Sequence, residues 1–169
     1  MSDATTARNQ YARLLDRAMR ILAMRDHSEA EFRQKLTLSM QRSARFHQEE
    51  APEIAEEDVE KVVAWCYEHS WLDDNRFAER FVASRSRKGY GPQRIRMELG
   101  QKGIGRELTA ATLEGAEIDW SAQAFDVAER KFGLPLPTEW KEKAKVQRYL
   151  LSKGFFMEDI QAIFRNFDN

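Results

Sequence analysis

The sequence predicts an all-α fold of three tandem three-helix units, and three observations carry that prediction. Helix formers dominate a chain in which 33% of residues are charged and 42% apolar, with only 8 Gly and 4 Pro. The alternation of Val, Ile and Thr with polar residues that marks strands is missing. The chain also matches itself. A gapless shift of 63 residues lays the first two helices on the fourth and fifth, and a shift of 51 brings in a third copy.

The first helix is expected from about Tyr11 to Arg25, with Leu14, Ala18, Ile21 and Leu22 on one side. Ser28 followed by Glu31 is a capping-box start for a second helix carrying Phe32 and Leu36. Residues 37–55 lose periodicity and contain Pro52, so they read as a mobile linker. Glu56, Glu57 and Asp58 suit the positive end of a third helix with Val59, Val62, Val63, Cys66 and Tyr67.

An Asp at 73 or 74 caps a fourth helix lined by Phe77 and Phe81. Gly89-Tyr90-Gly91-Pro92 ends it, with Pro92 in the first turn of a fifth helix holding Ile95 and Leu99. After Gly103 and Gly105 a sixth helix is expected over 106–116, and a seventh from Asp119 to about Phe132. Thr138 reads as the cap of an eighth helix (139–152), and a ninth covers 157–167. The units are then 11–71, 72–117 and 118–169, after a disordered tail over 1–10.

In the repeat, Arg13 falls on Arg76, Leu14 on Phe77, Arg17 on Arg80, Phe32 on Ile95 and Leu36 on Leu99. At the shift of 51, IRMELGQKGI from Ile95 matches VQRYLLSKGF from Val146. Apolar matches come easily at helical spacing. Paired arginines and a Lys-Gly-apolar turn do not.

Several chemistries find no support. Cys66 is the only cysteine, so no disulfide forms within the chain. His27, His47 and His69 are scattered without metal-ligand spacing, and no metal site is expected. Gly89-Tyr90-Gly91 follows a helix and lacks a third Gly, so it is a turn and not a dinucleotide fingerprint. No nucleophile has a base at readable spacing. Neither a cofactor nor catalysis is expected. The polar start MSDATTARNQ and the absence of a long apolar run place the expected compartment in the cytosol.

Charge distribution is more telling than the net charge of −1. Residues 48–60 carry acids alone, whereas 80–106 carry eight Lys or Arg against Glu98. At 100° per residue, Arg76, Arg80 and Arg87 share a narrow arc beside Phe77 and Phe81; Arg13, Arg17 and Arg20 are their counterparts in the first unit. Lys141, Lys145 and Arg148 form a third stripe, and Lys88, Arg94, Arg96 and Lys102 extend the second. Such one-sided series point to a surface for phosphates or acidic side chains. Arginines snorkelling over core edges are the structural alternative. Tyr90 and Trp71, in turns, either stack on a partner or cover the ends of a small core.

The stretch Leu72-to-Ile104, LDDNRFAERFVASRSRKGYGPQRIRMELGQKGI, resembles the central part of the RecX family. The opening YARLLDRAMRILAMRDHSEAEFRQKL and the closing KVQRYLLSKGFFMEDIQAIF are similar to its first and last units. The resemblance covers about residues 11–168, apart from the 37–55 linker. It implies tandem three-helix units in a curved, elongated array without enzymatic activity. It implies RecA as partner, bound as its filament on single-stranded DNA. Extension, ATP hydrolysis, strand exchange and co-protease activity would be suppressed, in DNA repair, recombination and the SOS response. A monomer with weak direct DNA contact is expected. The alternatives are a helical DNA-binding protein acting without RecA, and a plain scaffold.

Overall fold

The computed structural model describes residues 3–50 and 53–166. Among the described residues there are nine α-helices and no strand: α1 (Asp3–Met24), α2 (Glu29–Phe46), α3 (Glu56–Glu68), α4 (Asp74–Arg87), α5 (Pro92–Gln101), α6 (Arg106–Gly115), α7 (Trp120–Phe132), α8 (Trp140–Ser152) and α9 (Met157–Asn166). The all-α prediction holds.

Local chemistry sets four of the helix starts. Ser28 Oγ accepts from Glu31 N at 3.2 Å, Asp73 Oδ1 from Arg76 N at 3.1 Å and Asp119 Oδ1 from Ala122 N at 3.2 Å. Each satisfies an amide that the first turn leaves without a helical partner. Pro92 opens α5, where its missing N–H costs nothing. The cap expected at Thr138 falls one residue later, at Glu139, without a side-chain bond.

Two expectations fail. The 1–10 tail was expected to be disordered, but α1 already begins at Asp3. Alanine at 4 and 7 has high helix propensity. The 37–55 linker shrinks too, because α2 runs to Phe46. Phe32, Leu36, Met40 and Ala44 are all buried at spacings of four. This stripe is one residue wide, and the polar residues around it hide its period.

The repeat is visible in matching helix ends. Gly103 (φ +82°) and Gly154 (φ +99°) follow α5 and α8, and Ile104 N→Leu99 O (3.0 Å) has its equivalent in Phe155 N→Leu150 O (3.1 Å). This six-to-one bond is the Schellman stop, which needs a left-handed residue. The same stop ends α2 at Gln48 (φ +58°), through Glu49 N→Ala44 O at 2.8 Å. Gln48 lies eight residues beyond the position that the 63-residue shift assigns to Gly103. Accordingly α2 has 18 residues where α5 has 10. The first unit carries two additional helical turns, about 12 Å. Phe32, Ile95 and Val146, equivalent in the repeat, are all 0% exposed.

The chain packs as two compact bodies, one ending at Phe77, within α4, and one beginning at Ala78, which holds the rest of α4 and α5 to α9. Leu14, Ala18, Leu22, Phe32, Leu36, Val62, Cys66 and Leu72 are among the core residues of the first. In the second, Val127, Leu136, Val146, Leu150, Phe155, Ile160 and Ile163 belong to a cluster formed by α7, α8 and α9.

Candidate basic and aromatic interface

In the first body, charged groups mostly hold helices together. Arg33 donates through Nη1 and Nη2 to both carboxylate oxygens of Glu60 (2.7 and 2.9 Å) and through Nε to Glu29 (2.9 Å), tying α2 to α3. Those bonds hold the Arg33 pKa above its ordinary value and Glu60 below the usual carboxylate range. Buried His27 places Nδ1 2.9 Å from the Arg25 carbonyl and Nε2 3.0 Å from Lys35 Nζ. Burial first, then Arg25 and Lys35, pushes its pKa down. His27 is therefore a neutral structural bridge, with Nδ1–H donating to the carbonyl and Nε2 accepting from the lysine.

The expected stripe Arg76, Arg80, Arg87 is not a uniform surface. Arg76 turns back into the first body, donating to Ser70 O at 2.9 Å and lying 4.0 Å from Asp26 Oδ1. Periodicity places it beside the Phe77 and Phe81 face, and the short Ser70–Trp71 turn brings a carbonyl within its reach. Arg80, Arg87 and Lys88 are exposed. Among the first-unit counterparts, Arg20 pairs with Asp16 at 3.1 Å and Arg17 donates to Ser39 at 3.3 Å. Arg13 is exposed beside them, and Asp16, Glu49 and Glu50 line the same depression. That surface has mixed charge.

The second body gathers cations around aromatic rings. Over Tyr90 stand Arg94 at 4.1 Å, Lys153 at 4.4 Å and Arg85 at 5.9 Å from the centroid. Cations above a ring face are attracted by its quadrupole. Glu98 pairs with Arg85 (3.3 Å) and Arg94 (3.5 Å), fixing both guanidinia near the ring. Arg94 and Arg96 line a groove of about 700 Å³ with Gln93, Met97, Gln101 and Leu151. Arg96 lies 5.7 Å from the Phe156 ring, and Lys102 is half-buried. On α8, Lys145 pairs with Glu142 at 3.1 Å, Lys141 lies 5.9 Å from the ring of Trp140, and Arg148 is exposed.

Sequence reasoning missed Arg85, Arg130, Lys131 and Lys153. Lys153 was legible, since it repeats Lys102 in the Lys-Gly-apolar turn. Arg130 and Lys131 lie outside the stripes and meet the others only through packing. Among the described residues, no three His, Cys, Asp or Glu side chains gather at metal-binding range, and no helix is long and apolar enough to cross a membrane.

The described residues form tandem helical units, and comparison says which three-helix domains they resemble. Residues 73–113 match the second three-helix domain of RecX and residues 117–164 the third. The regulatory protein RecX of Cronobacter sakazakii is 60% identical over 168 residues, covering 99% of this chain and all of that one. The Escherichia coli K12 protein of the same name is 58% identical over 167 residues, 99% of each. The crystal structure of RecX from Lactobacillus salivarius superposes with a TM-score of 0.76 at 19% identity, covering 95% of this chain and 97% of that one. A second RecX crystal structure gives 0.71 at 24% identity, covering 96% and 75%. The chain belongs to the RecX family of regulatory proteins.

Proposed function

We propose that this protein is a negative regulator of the RecA recombinase. It binds the RecA filament on single-stranded DNA, blocks filament extension, and lowers ATP hydrolysis, strand exchange and co-protease activity in DNA repair and the SOS response. The observation that carries this reading is the family membership, at about 60% identity along the whole chain.

The cation-rich faces support it physically. Modest contacts from several units to neighbouring subunits of one filament add through high effective concentration. A regulator working this way needs surface and no catalytic group. It acts as a monomer in the cytosol, where the filament assembles. The test is RecA ATP hydrolysis on single-stranded DNA with the protein titrated in. Progressive loss of hydrolysis supports the reading; unchanged hydrolysis at equimolar protein overturns it.

A further inference from the structure

We propose that the pocket at Lys88, Arg130, Lys131 and Lys153 seats the phosphodiester backbone of a single nucleic-acid strand. It measures about 200 Å³, lies wholly in the second body, and has Tyr149 in its wall. Three helix C-termini bring the cations together. Lys88 follows α4, Arg130 and Lys131 sit in the last turn of α7, and Lys153 caps α8. Gly89, at φ +91°, turns the chain beside Val127 of α7, and Gly91 N–H donates to the Lys153 carbonyl at 2.8 Å. The convergence is thus fixed by backbone geometry.

Cations at helix C-termini offset the helix dipole, and that accounts for part of the charge. Each end carries roughly half a negative charge, so three offset about 1.5 of four positive charges. The remaining charge meets aromatic rings but no carboxylate among the described residues. Among the described residues none of the four makes an ion pair, and no carboxylate lines the pocket.

Residue type favours phosphate over an acidic side chain. Three of the four are lysines, point charges that meet the several oxygens of a phosphate from different directions, and the one arginine fork fits phosphate as well. The rings favour a single strand. Tyr149 is half-buried, with Lys131 Nζ 5.5 Å from its centroid and Phe132 edge-on at 5.6 Å; Lys153 bridges to Tyr90. Alternating cations and rings hold phosphates and unstacked bases together. The inference rests on the filament reading only in naming which strand arrives.

The test is fluorescence anisotropy of a labelled oligo-dT with the full chain, over a range of salt and without RecA. In an Arg130→Gln/Lys131→Gln/Lys153→Gln variant, the slope of log affinity against log salt should fall by about 0.7 per lost phosphate contact, about 2 in all. A Lys131→Arg/Lys153→Arg variant keeps the charge and should keep the slope, which separates charge from packing. Wild-type slope and affinity in the glutamine variant would overturn the site, as would equal loss in the arginine variant. Displacement of oligo-dT by polyglutamate at equal charge concentration would assign the pocket to an acidic protein and also overturn it. If oligo-dT binding behaves as expected while RecA hydrolysis is untouched by wild-type protein, the filament reading fails and this site stands.

Discussion

Gly91 and Gly154 meet backbone to backbone. The Gly91 amide donates to the carbonyl just before Gly154, and a Cβ on Gly91 would lie 2.5 Å from the Gly154 carbonyl oxygen. A Cβ on Gly154 would in turn lie 2.7 Å from Arg94 N. This contact joins the start of α5 to the end of α8 and sets the cations around Tyr90. Gly91→Ala should therefore destabilise the second body by about 1–3 kcal/mol, the usual cost of overpacking. Gly100, inside α5 with nothing within 4 Å of an added Cβ, gives the opposite sign: Gly100→Ala should stabilise by about 0.5–1 kcal/mol. Urea denaturation of both variants checks the pair; equal effects would show that the close approach is not what selects glycine at 91.

Phe32 is fully buried at the centre of the first body. Truncation to Ala should cost about 3–5 kcal/mol there. Hydrogen exchange by mass spectrometry should show faster exchange in α1, α2 and α3. Exchange in those helices unchanged from wild type would contradict the core assignment.

His27 makes the first body sensitive to mild acid. Its folded pKa lies below its unfolded value of about 6.5, so the unfolded chain takes up the proton first as pH falls. The stability contributed by neutral His27 is thus complete above about pH 6.5 and declines below it. Denaturation midpoints between pH 7.5 and 5.5 should fall in wild type and fall less in His27→Gln. Parallel midpoints in the two proteins would remove His27 as the cause.

Cys66 is 0% exposed, and burial pushes its thiol up to about 11. Only the thiolate attacks a disulfide reagent, so the native protein should react with a coloured aromatic disulfide far more slowly than the urea-unfolded chain at pH 8. Comparable rates would show that the α1–α3 core opens readily.

The sequence made the helices, the caps at Ser28 and Asp73 and the repeat legible because each has a local cause, as do the Lys-Gly-apolar turns at 102–104 and 153–155; Thr138 was one residue early as a cap. The end of α2 was hidden because Met40 and Ala44 form a stripe one residue wide. The packing of Arg76 was hidden for another reason. Periodicity places a side chain on a face, but which carbonyl that face meets is decided by the turn before it. Arg130 and Lys131 show the same limit, since their neighbours come from helices distant in the chain.

The central claim is tested most directly by ATP hydrolysis on preformed RecA filaments with this protein present well below the amount needed to coat the DNA. Hydrolysis should fall in that range, persist as excess single-stranded DNA is added, and recover as salt rises and screens exposed charges. Charge reversal at exposed Arg80 and Arg87 should weaken the effect while the helical spectrum stays intact. Inhibition that appears only when the DNA is coated, and vanishes with excess DNA, would contradict the account and make the protein a DNA binder acting without RecA.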